Sequence, residues 1–275
     1  MPIRPGEYHR PTDWASAQEL LRRAEIRATP LILGPRVPIP PYGDAESIVD
    51  LSRLDLSYIK VDDGVHIGAL TPLQDLADSA QLEAIANGLL SEAARLTAHY
   101  GLRNLATVGG ALLARPGPPE VGLALLALEA VVIIRGEETR EVSLVDFSAD
   151  SLQAGEVMAE VRFVPTGAGG ALERVARTPR DEAIVAAAAV VEVTNGNCRK
   201  VRLALAAPRP QRMPAAEKML EGQPITNDQL QKMADAATSE AQVSADFRAS
   251  AEYRQAMAGV LARRALETAW KRAQE

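Results

Sequence analysis

Cysteine is almost absent from this sequence, because Cys198 is the only one among 275 residues. A single cysteine cannot form an internal disulfide, and it cannot provide the thiolate cluster that a structural zinc or an iron–sulfur centre requires. It follows a turn sequence at 195–197, so we predict a structural role for it. The three histidines, His9, His66 and His99, are far apart in sequence. We therefore predict no metal site, with His66 and His99 as structural residues.

Aromatic residues and long apolar runs are also scarce. Phe, Trp and Tyr make up 4% of the chain, so a core built from the 47% hydrophobic residues must be mostly aliphatic. No window holds eighteen consecutive apolar residues, and the N-terminus lacks the apolar stretch of a secretory signal, so we expect no membrane span and a cytoplasmic location. The net charge of −6 argues against nucleic acid as a partner, because phosphate binding depends on clustered cations.

The N-terminal third reads as alternating short elements. Thr12 or Asp13 can cap a helix, and apolar residues recur on one of its faces at Trp14, Ala17, Leu21 and Ala24. A short buried strand is predicted at 31–33. The prolines of the following loop, at 35, 38, 40 and 41, exclude a central strand there.

Two hairpins are predicted in the middle of the chain. The turn 62–64 joins strands at 58–61 and 65–69, and the turn 136–138 joins strands at 131–134 and 139–144. Between the hairpins, Thr71 and Pro72 have the residue types that open a helix, and a longer helix is predicted over 82–100. A further strand covers 157–164, and the glycine-rich stretch 165–170 indicates a domain boundary.

The C-terminal region begins ambiguously. The alanines of 182–194 suit a helix, whereas the valines and the following Asn195-Gly196 suit a hairpin strand; we favour a strand paired with 201–207. Helices are predicted from Pro214 onward, the last with its apolar stripe at Tyr253, Met257, Leu261 and Ala265. Strands followed by helices in this order are typical of the α+β class.

The chain lacks the G-x-G-x-x-G, Walker, H-E-x-x-H and G-x-S-x-G motifs. The informative stretch is R-N-L-A-T-V-G-G at 103–110. Its two glycines allow close approach of a ligand to the backbone, and successive amides can form an anion-binding nest that suits a diphosphate. An ordinary turn is the alternative for such a glycine pair.

This stretch resembles the R-N-x-A-T-[IV]-G-G segment with which flavoprotein (medium) subunits of molybdenum hydroxylases, of the carbon monoxide and xanthine dehydrogenase type, hold the FAD diphosphate. The run 111–130 is similar, without a gap, to the family's N-L-A-N-A-S-P-A-S-D…A-L-L-A-L-D-A. Further similar segments are 8–12, 48–54, 67–71, the R-x-x-x-D-x-A-x-V pattern at 177–185, and the final helix at 248–266.

The resemblance implies an α+β fold with a vanillyl-alcohol-oxidase-like FAD-binding region of two subdomains, at 1–55 and 56–170. It implies a carbon monoxide dehydrogenase flavoprotein-like C-terminal domain at 171–275, with a small antiparallel sheet and helices. It also implies FAD contacts from two loops and no catalytic residue of the chain's own. The residues carried over are Leu33, Gly34, Pro35, Arg36 and Val37 in the first loop, and Thr107, Val108, Gly109, Gly110, Ala111 and Glu120 in the second.

Both loops depart from the family pattern. The first loop of the family is A-G-G-[TSH]-[DS]-L, and here Pro35 replaces a residue that has a backbone N–H. In the second loop Ala111 replaces an asparagine, and Glu120 replaces an aspartate. Arg36 and Arg115 are additional cations that could pair with phosphate, or they are solvated loop residues.

The function that the resemblance implies is electron transfer. In the family, a molybdopterin-binding large subunit oxidises the substrate, a [2Fe–2S] small subunit relays single electrons, and FAD passes a pair to the final acceptor. The altered loops leave two alternatives open: a member without FAD that has a structural or assembly role in the complex, or a free-standing small-molecule binding protein.

Overall fold

The computed structural model describes residues 5–31, 33–35, 45–113, 119–179 and 181–275. These residues form three β-sheets with helices packed around them, which is the α+β architecture expected from the sequence. In the described part of the chain, no helix is both long enough and apolar enough to cross a membrane. The loop prolines at 38, 40 and 41 lie outside the described residues.

The first sheet is small and parallel. It has the order β1-β3-β2, with strands β1 (Glu7–His9), β2 (Ala28–Pro30) and β3 (Ser47–Val49), and helix α1 (Trp14–Leu21) connects the first two. Asp13 caps α1 by accepting the N–H of Ser16 at 2.9 Å, as predicted. The strand predicted at 31–33 is wrong in position: the strand is 28–30, the N–H of Leu31 donates to the carbonyl of Val49 in β3 at 2.9 Å, and residue 32 lies outside the described residues.

The second sheet is antiparallel and contains both predicted hairpins. Its order is β4-β5-β8-β6-β7. The strands are β4 (Ile59–Val61), β5 (Val65–Gly68), β6 (Val131–Arg135), β7 (Thr139–Ser143) and β8 (Val157–Phe163). One face of this sheet is buried by apolar residues such as Ile67, Val132 and Val161, which belong to the largest core cluster.

The helices between β5 and β6 are shorter than the sequence predicts. They are α2 (Leu73–Asp78), α3 (Ala80–Glu83), α4 (Leu89–Thr97), α5 (Tyr100–Arg103), α6 (Val108–Leu113) and α7 (Glu120–Ala127). The continuous helix predicted over 82–100 is wrong, because Ala86 and Asn87 have φ values of 47° and 51° and interrupt it. Thr71 does not cap α2: its hydroxyl accepts from the N–H of Tyr58 and donates to the carbonyl of Tyr58.

The third sheet is antiparallel, with order β12-β11-β10-β9. Its strands are β9 (Gly169–Val175), β10 (Val185–Thr194), β11 (Asn197–Ala206) and β12 (Pro210–Arg212), and the helices after it are α8 (Pro214–Lys218), α9 (Asn227–Glu240) and α10 (Ala251–Arg272). The alanine-rich stretch is therefore a strand, as favoured. Its alanines are small because helices cover both faces of the sheet: Ala187 and Ala189 pack with α10, whereas Ala186 and Ala188 pack with α7.

The apolar stripe of α10 is rotated from the predicted one. Tyr253 is 42% exposed, whereas Arg254 and Ala258 are completely buried together with the predicted Leu261 and Ala265. The guanidinium of Arg254 compensates for its burial by donating to the carbonyl of Ile184 and to the carboxylate of Asp246. Because Arg254 is charged, the pattern of apolar residues does not mark position 254 as buried. The pattern therefore predicted Tyr253, one residue earlier, as the buried position.

Candidate functional site

The two loops predicted to hold a diphosphate lie directly against each other. The N–H of Thr107 donates to the carbonyl of Leu33 at 2.9 Å. A Cβ atom placed on Gly110 would lie 1.9 Å from the same carbonyl oxygen and 2.8 Å from the nitrogen of Gly34. Only glycine at 110 permits this contact, so the structure brings the described parts of the first and second loops together.

The backbone amides of the second loop are already hydrogen-bonded within the protein. Val108 and Gly109 donate to the carbonyls of Thr71 and Ala69 at 3.0 and 2.8 Å. The N–H of Gly110 donates to the hydroxyl of Thr107 at 3.1 Å, and the N–H of Ala111 donates to the carbonyl of Thr107 at 2.8 Å. The amides of 107–111 therefore hold the loop in place, and in this conformation none of them is open to an anion.

The first loop has the donors that the second lacks. Among the described residues, no acceptor receives the amide N–H of Leu33 or of Gly34. Pro35 is buried and has no N–H to offer. Arg36 and Val37, also predicted to bind FAD, lie outside the described residues, as does Arg115. The donor chemistry of Leu33 and Gly34, next to the Cβ-free surface of Gly110, fits a phosphate group.

A small apolar hollow adjoins the glycine pair. Its volume is about 40 Å³. It is lined by residues from several segments of the N-terminal region: Pro30, Leu31, Leu51, Ala69, Leu70, Thr107, Gly109, Gly110, Leu113, Leu152, Val157 and Met158. Typical ligand pockets have roughly 300–1,000 Å³. The described residues thus form an apolar surface beside the two loops and do not enclose a cofactor-sized cavity.

Glu120 is the first residue of α7 and is completely buried. One carboxylate oxygen accepts from the guanidinium of Arg174 at 2.8 Å, and the other, Oε2, has no hydrogen-bond partner. Burial raises the pKa of Glu120 to about 7, against the opposing effect of Arg174. Its side chain therefore pairs with β9 and not with either glycine loop, so its predicted contact with FAD stays a prediction.

The structure also bears on the structural role predicted for His66. His66 lies in β5, where its Nδ1 is 3.1 Å from the carboxylate of Glu160, which also accepts the hydroxyl of Tyr58 at 2.6 Å. This network supports the structural role expected for His66. Asp62, Asp63 and His66 each place one potential ligand atom within 4.8 Å of the others at the β4–β5 turn, although no metal site was predicted from the sequence.

A wide cleft of the described residues was not predicted from the sequence. It has a volume of about 540 Å³ and lies where the linker 164–167 and the end of α7 face β10 and β11. Its charged residues are paired with one another: Glu129 with Lys200 and Arg202, and Glu192 with Arg199. Alternation in β11 places Lys200 and Arg202 on one face, which was the available signal, but their partner Glu129 is remote in sequence.

Comparison with known proteins agrees with this architecture. Residues 4–166 match the family described as the FAD binding domain in molybdopterin dehydrogenase, and residues 170–269 match the CO dehydrogenase flavoprotein C-terminal domain. The carbon monoxide dehydrogenase medium chain of Hydrogenophaga pseudoflava is 32% identical, with 97% of each chain covered. The chain belongs to the flavoprotein (medium) subunits of the molybdenum hydroxylases.

Other members of this family show the same relationship. The carbon monoxide dehydrogenase medium chain of Afipia carboxidovorans is also 32% identical, and 97% of each chain is covered. The solved structure of carbon monoxide dehydrogenase from H. pseudoflava, in a form that lacks the Mo-pyranopterin moiety, superimposes with a TM-score of 0.88 over 99% of both chains. The comparisons thereby confirm the expected family and fold class, and they support FAD as the cofactor by resemblance to the family.

Proposed function

We propose that this chain is the cytoplasmic flavin subunit of a molybdenum hydroxylase complex and passes electrons from [2Fe–2S] clusters through FAD to a final acceptor. The observation that carries the proposal is the meeting of the two loops: Gly110 contacts Leu33, beside the amides of Leu33 and Gly34, for which no described residue is an acceptor. It is supported by the end-to-end similarity to carbon monoxide dehydrogenase medium chains.

The residues of the chain would act by binding and positioning. FAD, when bound, supplies the two-electron storage that links single-electron donors to a pair acceptor. Leu33 and Gly34 would donate backbone N–H groups to its phosphates, and the glycine pair would allow close approach. Arg36 and Arg115, which the structure does not describe, are proposed to add positive charge. The partners we propose are a molybdopterin-binding large subunit and a [2Fe–2S] small subunit, and no nucleic acid.

The test is an absorbance spectrum of the protein as purified, repeated after incubation with FAD and desalting. Flavin bands at close to one FAD per chain are the expected result. A Gly34→Pro variant removes one of the two amides that have no acceptor among the described residues, and we expect it to bind FAD more weakly. A colourless wild-type protein after both steps would contradict the proposal.

A second function is favoured by one observation, the internal bonding of all the amides of 107–111. In this alternative the chain has lost FAD and stabilises the assembly of the partner subunits. Co-purification with molybdenum and iron–sulfur subunits, without flavin, would support the alternative. Stoichiometric flavin in the purified complex would exclude it.

A further inference from the structure

The wide cleft beside the linker 164–167 is formed where three parts of the chain meet. These parts are the linker, the end of helix α7, and strands β10 and β11. The volume of about 540 Å³ is in the range of ligand pockets, which have roughly 300–1,000 Å³. One part of its lining is apolar and the other is charged. The apolar residues are Ala127, Leu128, Val164, Pro165 and Val190.

The two carboxylates of the cleft, Glu129 and Glu192, each have a partner at both oxygens. One oxygen of Glu129 accepts from the guanidinium of Arg202, and the other pairs with the ammonium of Lys200. Glu192 accepts the hydroxyl of Thr166 at 3.1 Å through one oxygen and a guanidinium N–H through the other. The carboxylates therefore hold the cations in place, and neither has an oxygen without a donor.

The cations of the cleft, in contrast, have donors in excess. An ammonium group has three N–H donors and a guanidinium has five. Among the described residues, the side chain of Lys200 pairs only with Glu129, and that of Arg199 pairs only with Glu192. Arg202 differs, because it bonds to two carboxylates and a carbonyl. Lys200 and Arg199 are 38% and 65% exposed at their side chains, so their remaining donors can reach a ligand.

The apolar part of the cleft is open to a ligand as well. Val164 is 75% exposed although it is a large apolar residue, whereas Val190 on the opposite strand is only 5% exposed and forms a solid surface. An apolar group that packs against Val164 would remove this side chain from water, which is favourable. The cleft thus combines spare cationic donors with an apolar surface.

We propose that this cleft binds a small organic anion. Its phosphate or carboxylate group accepts hydrogen bonds from Lys200 and Arg199, and its apolar part packs against Val164 and Pro165. The site is distinct from the flavin loops, because none of its residues belongs to either loop. It also lies at the opposite end of α7 from Glu120, and a helix of eight residues is about 12 Å long. The inference therefore does not rest on the proposed function.

The experiment is isothermal titration calorimetry of the full-length protein with phenyl phosphate, which has both an anionic and an apolar part. We expect saturable binding at one site per chain. Phenol lacks the anion and inorganic phosphate lacks the apolar part, so we expect each to bind about tenfold more weakly or worse. Absence of saturable binding of phenyl phosphate, or equal affinity for either of the other two compounds, would overturn the inference.

A double variant, Arg199→Gln with Lys200→Gln, removes the two cations that have spare donors. Glu129 keeps Arg202 as a partner and Glu192 keeps the hydroxyl of Thr166, so neither carboxylate is left without a donor. We expect binding of phenyl phosphate to weaken about tenfold or more, because charge-assisted hydrogen bonds are lost. Unchanged affinity in this folded variant would overturn the inference.

The matched control is Lys232→Gln with Lys271→Gln. It removes the same amount of charge and breaks two exposed ion pairs, with Asp228 and Glu267, on helices α9 and α10. We expect it to change the affinity less than about twofold, because salt screens distant surface charges. If the control weakened binding as much as the cleft variant, the effect would be one of net charge and the assignment to the cleft would fail.

Titration in the presence of saturating FAD separates this site from the flavin site. We expect the affinity for phenyl phosphate to be unchanged, whereas competition would place the anion at the flavin loops and overturn the inference. If the wild-type protein does not bind FAD, the proposed function fails. The titrations of the FAD-free protein and its variants still decide whether the cleft binds an organic anion.

Discussion

The contact between the two loops of the candidate site depends on the absence of a side chain at Gly110. Its missing Cβ leaves room for the carbonyl of Leu33, and no rotamer change could relieve a 1.9 Å contact with a backbone atom. The neighbouring Gly109 is less restrictive, because its Cβ would meet the carbonyl of Ala69 at 3.0 Å. The second glycine of the pair therefore has the stricter structural requirement.

Gly110→Ala should separate the loops and destabilise the protein by about 1–3 kcal/mol, the usual cost of overpacking. FAD affinity should fall in the same variant, because the amides of Leu33 and Gly34, which have no acceptor among the described residues, would shift. Urea unfolding and FAD titration provide the two measurements. Gly122→Ala is the control, since its Cβ would approach no atom closer than 3.7 Å and alanine suits helix α7. Wild-type stability and affinity in Gly110→Ala would contradict the close contact.

Glu120 should make stability depend on pH in an unusual direction. Its pKa of about 7 in the folded state lies above the ordinary value of 4.5, so between these values the folded protein keeps a proton that the unfolded chain has lost. The contribution of Glu120 to stability therefore falls as pH rises from about 4.5 to about 7, and is constant above that.

Glu120→Gln removes this titration and serves as the reference. The free energy of unfolding of the wild type minus that of Glu120→Gln should decrease between pH 4.5 and pH 7, because other titrating groups contribute equally to both proteins. Urea unfolding at a series of pH values measures the difference. A constant difference would show that the carboxyl group keeps its ordinary pKa in the folded protein, and a difference that rises with pH would show that folding lowers this pKa; either result would contradict the prediction.

At the scale of elements, close packing explains some of the glycines at the junction of β8 and β9, and backbone flexibility does not explain them all. A Cβ on Gly169 would lie 1.9 Å from the carbonyl of Ala269 in α10, and a Cβ on Gly170 would lie 2.2 Å from the carbonyl of Ala86. By contrast, a Cβ on Gly167 would meet no atom within 4 Å. The glycines that suggested a linker in the sequence therefore have different roles.

Gly169→Ala should displace helix α10 from β9 and lower the free energy of unfolding by about 1–3 kcal/mol. Gly167→Ala, two residues earlier, should have almost no effect or a slight stabilising one. Thermal and urea unfolding of the two variants provide the comparison. If both substitutions had the same small effect, close packing of α10 on the start of β9 would be excluded.

Elements differ in how well local sequence determines them. The hairpins β4–β5 and β6–β7 combine an alternating pattern with a turn sequence, and both signals are local, so their positions were predicted within a residue or two. The helix predicted over 82–100 failed because its interruption at Ala86 and Asn87 depends on a tertiary contact, in which the N–H of Ala86 donates to Thr166. The alanines of this stretch favour a helix and outweighed the local signal for a break, which is the pair Asn87-Gly88 with φ values of 51° and 72°.

At the scale of the whole molecule, the third sheet connects the parts of the chain. Helix α10 covers one of its faces and α7 covers the other, so strand β10 contributes to two core clusters. Buried arginines at 174 and 212 add polar contacts across the α7 interface. Loss of the sheet would expose apolar surface on both sides, which favours cooperative unfolding.

The two tryptophans can test this cooperativity. Trp14 packs near the first sheet, with the guanidinium of Arg135 4.5 Å from its ring centre, and Trp270 packs in the cluster of α10. Trp270→Phe leaves the N-terminal probe, and Trp14→Phe leaves the C-terminal one. We expect fluorescence of each variant to give the same urea midpoint as its circular dichroism. Midpoints that differ between probe and circular dichroism would show that the domains unfold separately.

The sequence by itself determined the family, the α+β class, both hairpins and the two loops of the candidate site, because each depends on a local motif or on alternation of apolar residues. The tertiary structure decided which atoms those residues use. It placed Glu120 against Arg174, closed the amides of 107–111 by internal bonds, and left the amides of Leu33 and Gly34 without an acceptor among the described residues. These outcomes depend on contacts between segments that are remote in sequence, and no local pattern specifies such contacts.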